Sequence, residues 1–364
     1  MRVHPSQLTP GYTLLHDVKG KTNDPIMKQG TILTDLHIKI LKKFLIEEVQ
    51  VEYHDAQVEN KVNVHASNHV KQEESKSKES LPTTAFHEHY MEVVAQYKKY
   101  FISWQNYNIP DFHAVRELIM PLLKQVESEE SAIPTLYQYA TKKEYLFHHS
   151  VAVSVLSAYV AMKMGYTKQK WLQVGLAGLL SDIGMAKITE STYNKAASLT
   201  LEERMEMEKH PTYSYQFIKD LPFITEGVKL AVLQHHERTD GSGYPLRLKG
   251  EQIHPYARII AVCDTYHAMA CNRIHTEKQP TLSVARTLEQ AKYAKYDPAI
   301  VWTLLTYITN LSIGEKVKLS NGAIGKIIFI DQQYPTRPMI ALEETKEIIS
   351  LKEQPTIYIE KVIS

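Results

Sequence analysis

Two adjacent histidines, His235 and His236, open the segment HHERTDGSGYP at residues 235–245. Neutral imidazole is the side chain that most often binds metal ions in proteins. Two adjacent rings are also costly to bury unless something satisfies both of them. A histidine pair is more often simply a surface feature, so the pair predicts a metal site only together with other residues of suitable type.

Such residues occur at predicted helix ends and loop starts elsewhere in the chain. With the pair, they form a set of four histidines and two aspartates: His149, Asp182, His210, His235, His236 and Asp264. Mixed nitrogen and oxygen donors suit borderline divalent ions such as Mn, Fe, Co or Zn. An aspartate can also bridge two ions, which can clamp the attacking and leaving oxygens of a phosphoryl centre. Taken singly, each residue is better explained as a core histidine, a turn residue or a helix start, so the prediction depends on all six converging.

The elements that must position this set are helical from residue 135 to about 310. Glycines mark the ends of two predicted helices, one from about 146 to Gly165 and one from about 169 to Gly184. Thr200 and Glu203 have the spacing of a capping box at a helix start.

Residues 85–134 form a predicted helical connector in front of this region. Apolar residues recur there at helical spacing, from Tyr90 to Phe101 and again from Leu118 to Leu123. The connector either joins the helical bundle or forms a dimerisation pair.

Both ends of the chain favour short strands. Residues 1–54 predict a small α/β module with a helix starting near Asp35, and residues 311–364 predict a small antiparallel sheet or barrel. Residues 55–84 are polar and lack aromatic side chains, which is typical of a flexible linker. The predicted fold class is therefore mainly α, a helical bundle flanked by small β-rich N-terminal and C-terminal modules.

Composition restricts the function. With 42 Lys and Arg against 41 Asp and Glu, the chain has no global basic field, so we expect no polymeric nucleic acid partner. We also expect no membrane insertion, because no apolar run reaches the length of a bilayer span. Two cysteines, Cys263 and Cys271, and the lack of a signal-peptide core predict a cytoplasmic protein.

Over residues 140–310, the order and flanks of these residues resemble the HD-GYP branch of the HD-domain phosphohydrolases. The matching motifs are His149-Ser150, LLSDIG at 179–184, LT-x-EE at 199–203, His210-Pro211, HHERTDGSGYP at 235–245, GE-x-I at 250–253, ARIIAV-x-D at 257–264, and Arg273. The N-terminal and C-terminal modules resemble, less specifically, appendages found beside such domains.

The resemblance implies an HD-type helical bundle with a two- or three-metal site that hydrolyses cyclic di-GMP through pGpG towards GMP. Carried over by position, one ion would be held by His149, Asp182 and Asp264. The other would be held by Asp182, His210, His235 and His236, with Asp182 as the bridging and catalytic residue. Fe or Mn would be the metal.

The resemblance also assigns the substrate side of the site. Gly243, Tyr244 and Pro245, with Gly241, would shape the pocket for the cyclic dinucleotide. Arg273 would bind a phosphate, for which its planar guanidinium is suited.

This chain departs from the family pattern at several positions. Ser181 replaces the name-giving histidine, so one metal position keeps three protein ligands instead of four. Met185 replaces a lysine, His267 an aspartate of the D-x-x-D run, Tyr145 a glutamate, and Ser214 a glycine.

Two consequences remain open at this point. Water can fill a missing ligand position, which gives a weakened phosphodiesterase, because even loss of an outer partner of a metal ligand lowers affinity or activity roughly 10–100-fold. Alternatively, the domain has lost catalysis and serves as a module that binds cyclic di-GMP or a partner protein. A homodimer is an open alternative for the oligomeric state.

Overall fold

The structure is a computed structural model that describes residues 2–19, 25–34, 37–38, 41–42, 46, 48–53, 85–106, 110–195, 197–274, 277–309, 311–331 and 334–363. The chain divides into two compact units, Met1–Glu79 and Ser80–Ser364.

The first unit is built from short antiparallel strands. These are β1 (Arg2–Val3), β2 (Tyr12–Leu14), β3 (Val18–Lys19), β4 (Pro25–Met27) and β5 (Val49–Tyr53). Strand β5 lies between β1 and β2, and β3 pairs with β4. The predicted linker 55–84 and most of the helix predicted near Asp35 lie outside the described residues.

The second unit is mainly helical. Its α-helices are α1 (Ala85–Gln105), α2 (Phe112–Lys124), α3 (Tyr145–Lys163), α4 (Lys168–Leu180), α5 (Glu190–Tyr193), α6 (Leu201–Met207), α7 (His210–Ile218), α8 (Glu226–Gln234), α9 (Pro255–Ala270), α10 (Thr281–Ala291) and α11 (Pro298–Ile308). Gly165 follows α3 with a φ of 82°, and the capping box at the start of α6 is present as predicted. Helix α4 ends at Leu180, before Gly184, which lies instead in the 3₁₀ turn Ile183–Lys187.

Helix α3 forms the centre of this bundle. Every residue from His148 to Ala161 is buried, because α1, α4 and α9 all pack against the helix. With 19 residues and a mean hydropathy of 1.3, α3 is long and apolar enough to cross a membrane. The prediction that no apolar run reaches this length is therefore wrong for α3, but 78% of the apolar segment is buried within the protein. A helix that is apolar all round is also what the core of a large bundle requires.

Small residues let α3 and α4 approach closely. A Cβ added at Gly178 would lie 3.0 Å from the Cα of Ser154, and Ser154 Oγ donates a 2.7 Å hydrogen bond to the carbonyl of Gly175. This contact fixes the end of α4, which leads directly to Asp182, beside α3, which carries His149.

The connector helices α1 and α2 bury their apolar faces in the same core as α3 and α4, including Tyr90, Tyr97, Phe101 and Leu122. The connector helices were predicted either to join the bundle or to form a dimerisation pair, and the structure shows them in the bundle. A homodimer and the domain boundaries stay predictions.

The unit ends in a five-stranded antiparallel sheet. Its strands are β6 (Lys316–Leu319), β7 (Ile324–Phe329), β8 (Met339–Leu342), β9 (Ile348–Ser350) and β10 (Ile359–Ile363), in the order β10-β6-β7-β8-β9. The sheet contacts α10 through an ion pair of 3.3 Å between Arg337 Nε and Glu289 Oε2. The predicted mainly α fold with small β modules at the two ends of the chain is thus confirmed.

Candidate metal centre

The structure brings the six predicted ligands together from distant parts of the chain. His149 lies on α3, Asp182 follows α4, His210 begins α7, the pair His235-His236 follows α8, and Asp264 lies on α9. Their donor atoms form two groups, one of Asp182, His210, His235 and His236, and one of His149, Asp182 and Asp264. Within each group all these atoms lie within 4.8 Å of one another, and Asp182 belongs to both.

The carboxylate of Asp182 divides its two oxygens between the groups. Oδ1 lies 3.2 Å from His210 Nε2 and 3.6 Å from His235 Nε2, whereas Oδ2 lies 3.6 Å from His149 Nε2. Burial opposes ionisation of this carboxyl, but His210 and His235, when Nε2 carries a proton, outweigh burial and hold its pKa well below the usual range.

Backbone carbonyls fix two of the imidazole rings. His210 Nδ1 donates to the carbonyl of Met207 at 2.7 Å, and His235 Nδ1 donates to the carbonyl of Val232 at 2.8 Å. Since a neutral imidazole carries only one ring hydrogen, both Nε2 atoms then present lone pairs to the centre. These two nitrogens lie only 3.3 Å apart and face the same carboxylate oxygen. Such an arrangement of acceptors is stable only with a cation or a proton among them.

The second group is held by a close contact between His149 and Asp264. His149 Nε2 lies 2.8 Å from Asp264 Oδ1. Burial by itself would lower the pKa of His149, but the hydrogen bond to Asp264 and the charges of Asp264 and Asp182 raise it overall. His236 Nδ1 lies 3.9 Å from Asp264 Oδ2, and burial, followed by the neighbouring His235 and His210, holds the pKa of His236 well below its usual value.

Gly184 and Ser214 join the Asp182 turn to the helix of His210. A Cβ at Gly184 would lie 2.2 Å from the carbonyl oxygen of His210, so only glycine fits there. Ser214 Oγ accepts a 2.8 Å hydrogen bond from the Gly184 N–H and donates a 2.6 Å hydrogen bond to the carbonyl of Ser181. The serine that departs from the family pattern therefore strengthens this junction.

The loop after the histidine pair covers one side of the site. The ring of Tyr244 stacks on His236, with centroids 4.8 Å apart and an interplanar angle of 25°. The Tyr244-Pro245 peptide bond is cis. A Cβ at Gly243 would lie 2.5 Å from three backbone atoms of residues 236–238, which leaves no room for another residue.

Glu237 is a positioning residue that sequence reasoning missed. It is 2% exposed, and its carboxylate accepts hydrogen bonds from the backbone N–H groups of Leu246 at 2.6 Å, Arg247 at 3.0 Å and Leu248 at 3.0 Å. Arg247 adopts a left-handed φ of 57°, which is uncommon for a residue other than glycine. A glutamate directly after the histidine pair was the available signal, but its partners lie nine to eleven residues further on.

Two of the residues that depart from the family pattern, Tyr145 and His267, contact His149. Ser181 Oγ donates to the carbonyl of Ala177 at 2.8 Å and belongs to neither donor group. His267 also belongs to neither group, and its Nδ1 instead lies 3.0 Å from the Nδ1 of His149.

Arg273 lies near the His149 group. Its guanidinium is 5.9 Å from the ring centroid of Tyr145, and its positive charge acts to lower the pKa of His149. Its Nε atom is buried without a hydrogen-bond partner among the described residues. A guanidinium with free donor capacity beside the site is suited to an anionic ligand.

The donor set as a whole fits divalent metal ions. Inward-facing Nε2 lone pairs on His210 and His235, together with the carboxylates of Asp182 and Asp264, make a mixed nitrogen and oxygen set. The outer nitrogens of the two imidazoles are anchored, as is usual for metal-ligating histidines.

Comparison with known proteins places this arrangement in a family. Residues 134–300 match the HD domain family. Over 212 residues, the chain is 30% identical to a cyclic di-GMP phosphodiesterase of Pseudomonas aeruginosa, a match that covers 58% of this chain and 51% of the relative. Residues 134–300 therefore form an HD domain, and the segment HHERTDGSGYP at 235–245 is similar to the HD-GYP branch.

Another relative matches a shorter part of the chain, and one solved structure has a similar fold. A 3'3'-cGAMP-specific phosphodiesterase of Vibrio cholerae is 32% identical over 131 residues, which cover 35% of this chain and 30% of that protein. The solved structure of an HDG"Y"P protein from Bdellovibrio bacteriovorus matches with a TM-score of 0.53 and 17% identity, covering 85% of this chain and 99% of that one. The latter likeness supports the fold alone. The chain spans about half the length of the Pseudomonas relative, or less in the case of the Vibrio one.

Proposed function

We propose that this HD-GYP domain is a metal-dependent phosphodiesterase that hydrolyses cyclic di-GMP, through pGpG towards GMP, with activity reduced by Ser181. One or two divalent ions, Fe or Mn, would bind to the two groups that share Asp182. The protein would act in the cytoplasm, as its composition predicts.

The observation that carries this proposal is the convergence of acceptor atoms on Asp182. Three acceptors, the Nε2 atoms of His210 and His235 and Asp182 Oδ1, lie within 3.2 to 3.6 Å of one another. Buried acceptors at such distances repel one another unless a cation or a proton lies between them, and a divalent ion can satisfy all three at once. When bound, divalent ions would make water a stronger nucleophile and neutralise charge at the phosphorus.

The chain's own side chains have separate roles in this proposal. Asp182 orients both groups of ligands, since each of its oxygens faces a different group. Arg273 would bind a phosphate oxygen with its unpartnered donor. The stacked ring of Tyr244, held by the loop with Gly243 and Pro245, would limit water access and shape the pocket for the dinucleotide.

The second candidate function is a binding module without catalysis. It is favoured by Ser181, which belongs to neither donor group and leaves the His149 group with three protein ligands. The group of Asp182 with three histidines argues for retained metal binding, because none of its donors has been replaced.

The deciding experiment uses the full chain, stripped of metal with a chelator and reloaded without oxygen with Mn²⁺ or Fe²⁺. Ion content is measured by elemental analysis, and hydrolysis of cyclic di-GMP and of 3'3'-cGAMP is followed by chromatography. Asp182→Asn removes the shared carboxylate charge. Asp220→Asn, which changes an exposed aspartate in the same way, is the matched control.

We expect slow hydrolysis of cyclic di-GMP by the loaded protein and by Asp220→Asn, and none by Asp182→Asn. Faster hydrolysis of 3'3'-cGAMP would overturn the proposed substrate but not the reaction. Dinucleotide binding without any product would favour the binding module. Less than one ion per chain and no dinucleotide binding would overturn both functions.

A further inference from the structure

The outer nitrogen of His149 has two side-chain neighbours at the same distance. His149 Nδ1 lies 3.0 Å from the hydroxyl of Tyr145 and 3.0 Å from Nδ1 of His267. The corresponding nitrogens of His210 and His235 instead meet backbone carbonyls, which can only accept a hydrogen bond. Of these three histidines, His149 is therefore the one whose orientation depends on replaceable side chains.

The two neighbours favour opposite placements of the ring hydrogen of His149. With the hydrogen on Nδ1, it is donated to His267 Nδ1, and Nε2 presents a lone pair towards Asp264 and Asp182. With the hydrogen on Nε2, it is donated to Asp264 Oδ1 at 2.8 Å, and Nδ1 accepts from the Tyr145 hydroxyl. Only the first arrangement leaves Nε2 able to bind a metal ion.

His267 can take a form in which Nδ1 accepts, because its Nε2 also has a neighbour to which it can donate. Its ring is fully buried, and its Nε2 lies 3.4 Å from the Sγ of Cys271. The Cys271 thiol in turn lies 3.6 Å from the carbonyl of Tyr137, to which it can donate. Hydrogen bonds can therefore run in one direction, from His149 through His267 and Cys271 to the backbone.

The hydroxyl of Tyr145 has no such choice. Among the described residues, His149 Nδ1 is its only hydrogen-bond partner. Its ring stacks on His149 with centroids 5.0 Å apart and an interplanar angle of 27°, so the hydroxyl is held at that nitrogen. A partly buried hydroxyl with one acceptor in reach satisfies its hydrogen by donating to it.

We propose that His267 and Tyr145 are opposed positioning residues for His149. His267 favours the form that binds metal, and Tyr145 favours the form that pairs with Asp264 instead. This inference rests on metal binding at the His149 group in the proposed function. Tyr145 and His267, which both depart from the family pattern, would thus together set the metal affinity of this chain.

The test is a Mn²⁺ titration of the full chain, followed by the electron paramagnetic resonance of free Mn²⁺, with variants at both positions. His267→Phe removes the acceptor. It should weaken Mn²⁺ binding at the group of His149, Asp182 and Asp264 roughly 10–100-fold, the usual effect of losing an outer partner of a metal ligand. His267→Asn replaces the acceptor nitrogen by an amide oxygen and should restore affinity to within a few-fold of the native chain. Tyr145→Phe should raise affinity, a change of sign that a loosened fold would not produce.

Tyr90→Phe and His87→Phe are matched controls, because they remove a buried hydroxyl and a buried ring that contact His148 and Thr135 rather than His149. Equal Mn²⁺ affinity in all variants, or loss of affinity in both Tyr145→Phe and His267→Phe, would overturn the inference.

Nitrogen chemical shifts of the histidine rings in the metal-free protein, recorded at a pH above the raised pKa of His149 so that its ring carries one hydrogen, give an independent readout. We expect His267→Phe to move the hydrogen of His149 to Nε2 and Tyr145→Phe to move it to Nδ1. Unchanged shifts in both variants would overturn the inference even if metal binds. If the native chain binds neither Mn²⁺ nor Fe²⁺, the proposed function fails, and the shifts alone decide this inference.

Discussion

Glu237→Gln tests how the loop beside the metal centre is held. The carboxylate of Glu237 accepts three backbone hydrogen bonds, two at Oε1 from Leu246 and Arg247 and one at Oε2 from Leu248. Glutamine keeps one carbonyl oxygen but turns the other position into an NH₂ group. Two bonds therefore lose their charge, and the third N–H faces another donor.

The size of the effect follows from these contacts. A hydrogen bond to a charged group contributes about 1.5–3 kcal/mol, a neutral one about 0.5–1.5 kcal/mol, and a buried donor left unpaired costs about 1–3 kcal/mol. The substitution should thus destabilise the closed loop by roughly 3–5 kcal/mol. Because each 1.4 kcal/mol is about tenfold in an equilibrium constant, loop opening should rise at least about 100-fold.

Amide hydrogen exchange measures this opening directly. We expect faster exchange at residues 246–248 in Glu237→Gln, with the core of α3 still protected. The Tyr244 stack on His236 should loosen with the loop, so KM for the dinucleotide should rise at unchanged ion content. Glu251→Gln, a change at an exposed glutamate of the same region, should have neither effect. Unchanged exchange at 246–248 in Glu237→Gln would refute the reasoning.

Three further substitutions test the junction and the substrate side. Gly184→Ala places a Cβ 2.2 Å from the His210 carbonyl oxygen. It should lower the free energy of unfolding, measured in urea, by about 1–3 kcal/mol and lower the ion content. An unchanged unfolding midpoint would contradict this. Ser214→Ala removes both hydrogen bonds that link the Asp182 turn to α7, so the free energy of unfolding should fall by about 2 kcal/mol. Ser191→Ala, at an exposed serine, should leave it almost unchanged. Equal effects would show that the Ser214 hydrogen bonds do not stabilise this junction. Arg273→Lys keeps the charge but loses the planar fork, so KM for the dinucleotide should rise roughly tenfold with ion content unchanged, and a fall in ion content instead would assign Arg273 to the metal side.

Much of the fold and of the candidate site could be predicted because local rules carry the information. Helical periodicity in α1 and α2, the capping box at Thr200 and period two near the C-terminus each depend on neighbours a few residues apart. The sequence predicts helix α3 correctly, and only the statement that no apolar run is long enough to span a bilayer is wrong; the packing of α1, α4 and α9 around α3 explains its apolar character.

The contacts of the replaced residues could not be predicted, because each one is made across the fold. Ser214 meets Gly184 thirty residues away, and His267 meets His149 from a different helix. The sequence shows that both residues differ from the family pattern, but it does not show which residues they contact.

The sequence by itself determined which six side chains could bind metal, since donor type and order along the chain are chemical facts of the residues. It also determined that the ligand histidine of the family is absent at Ser181. Only the tertiary structure decided that these side chains meet around Asp182, and that Tyr145 and His267 compete for one nitrogen of His149. The physical reason is that hydrogen bonds act over about 3 Å, and residues more than a hundred positions apart reach that distance only through packing of the whole bundle.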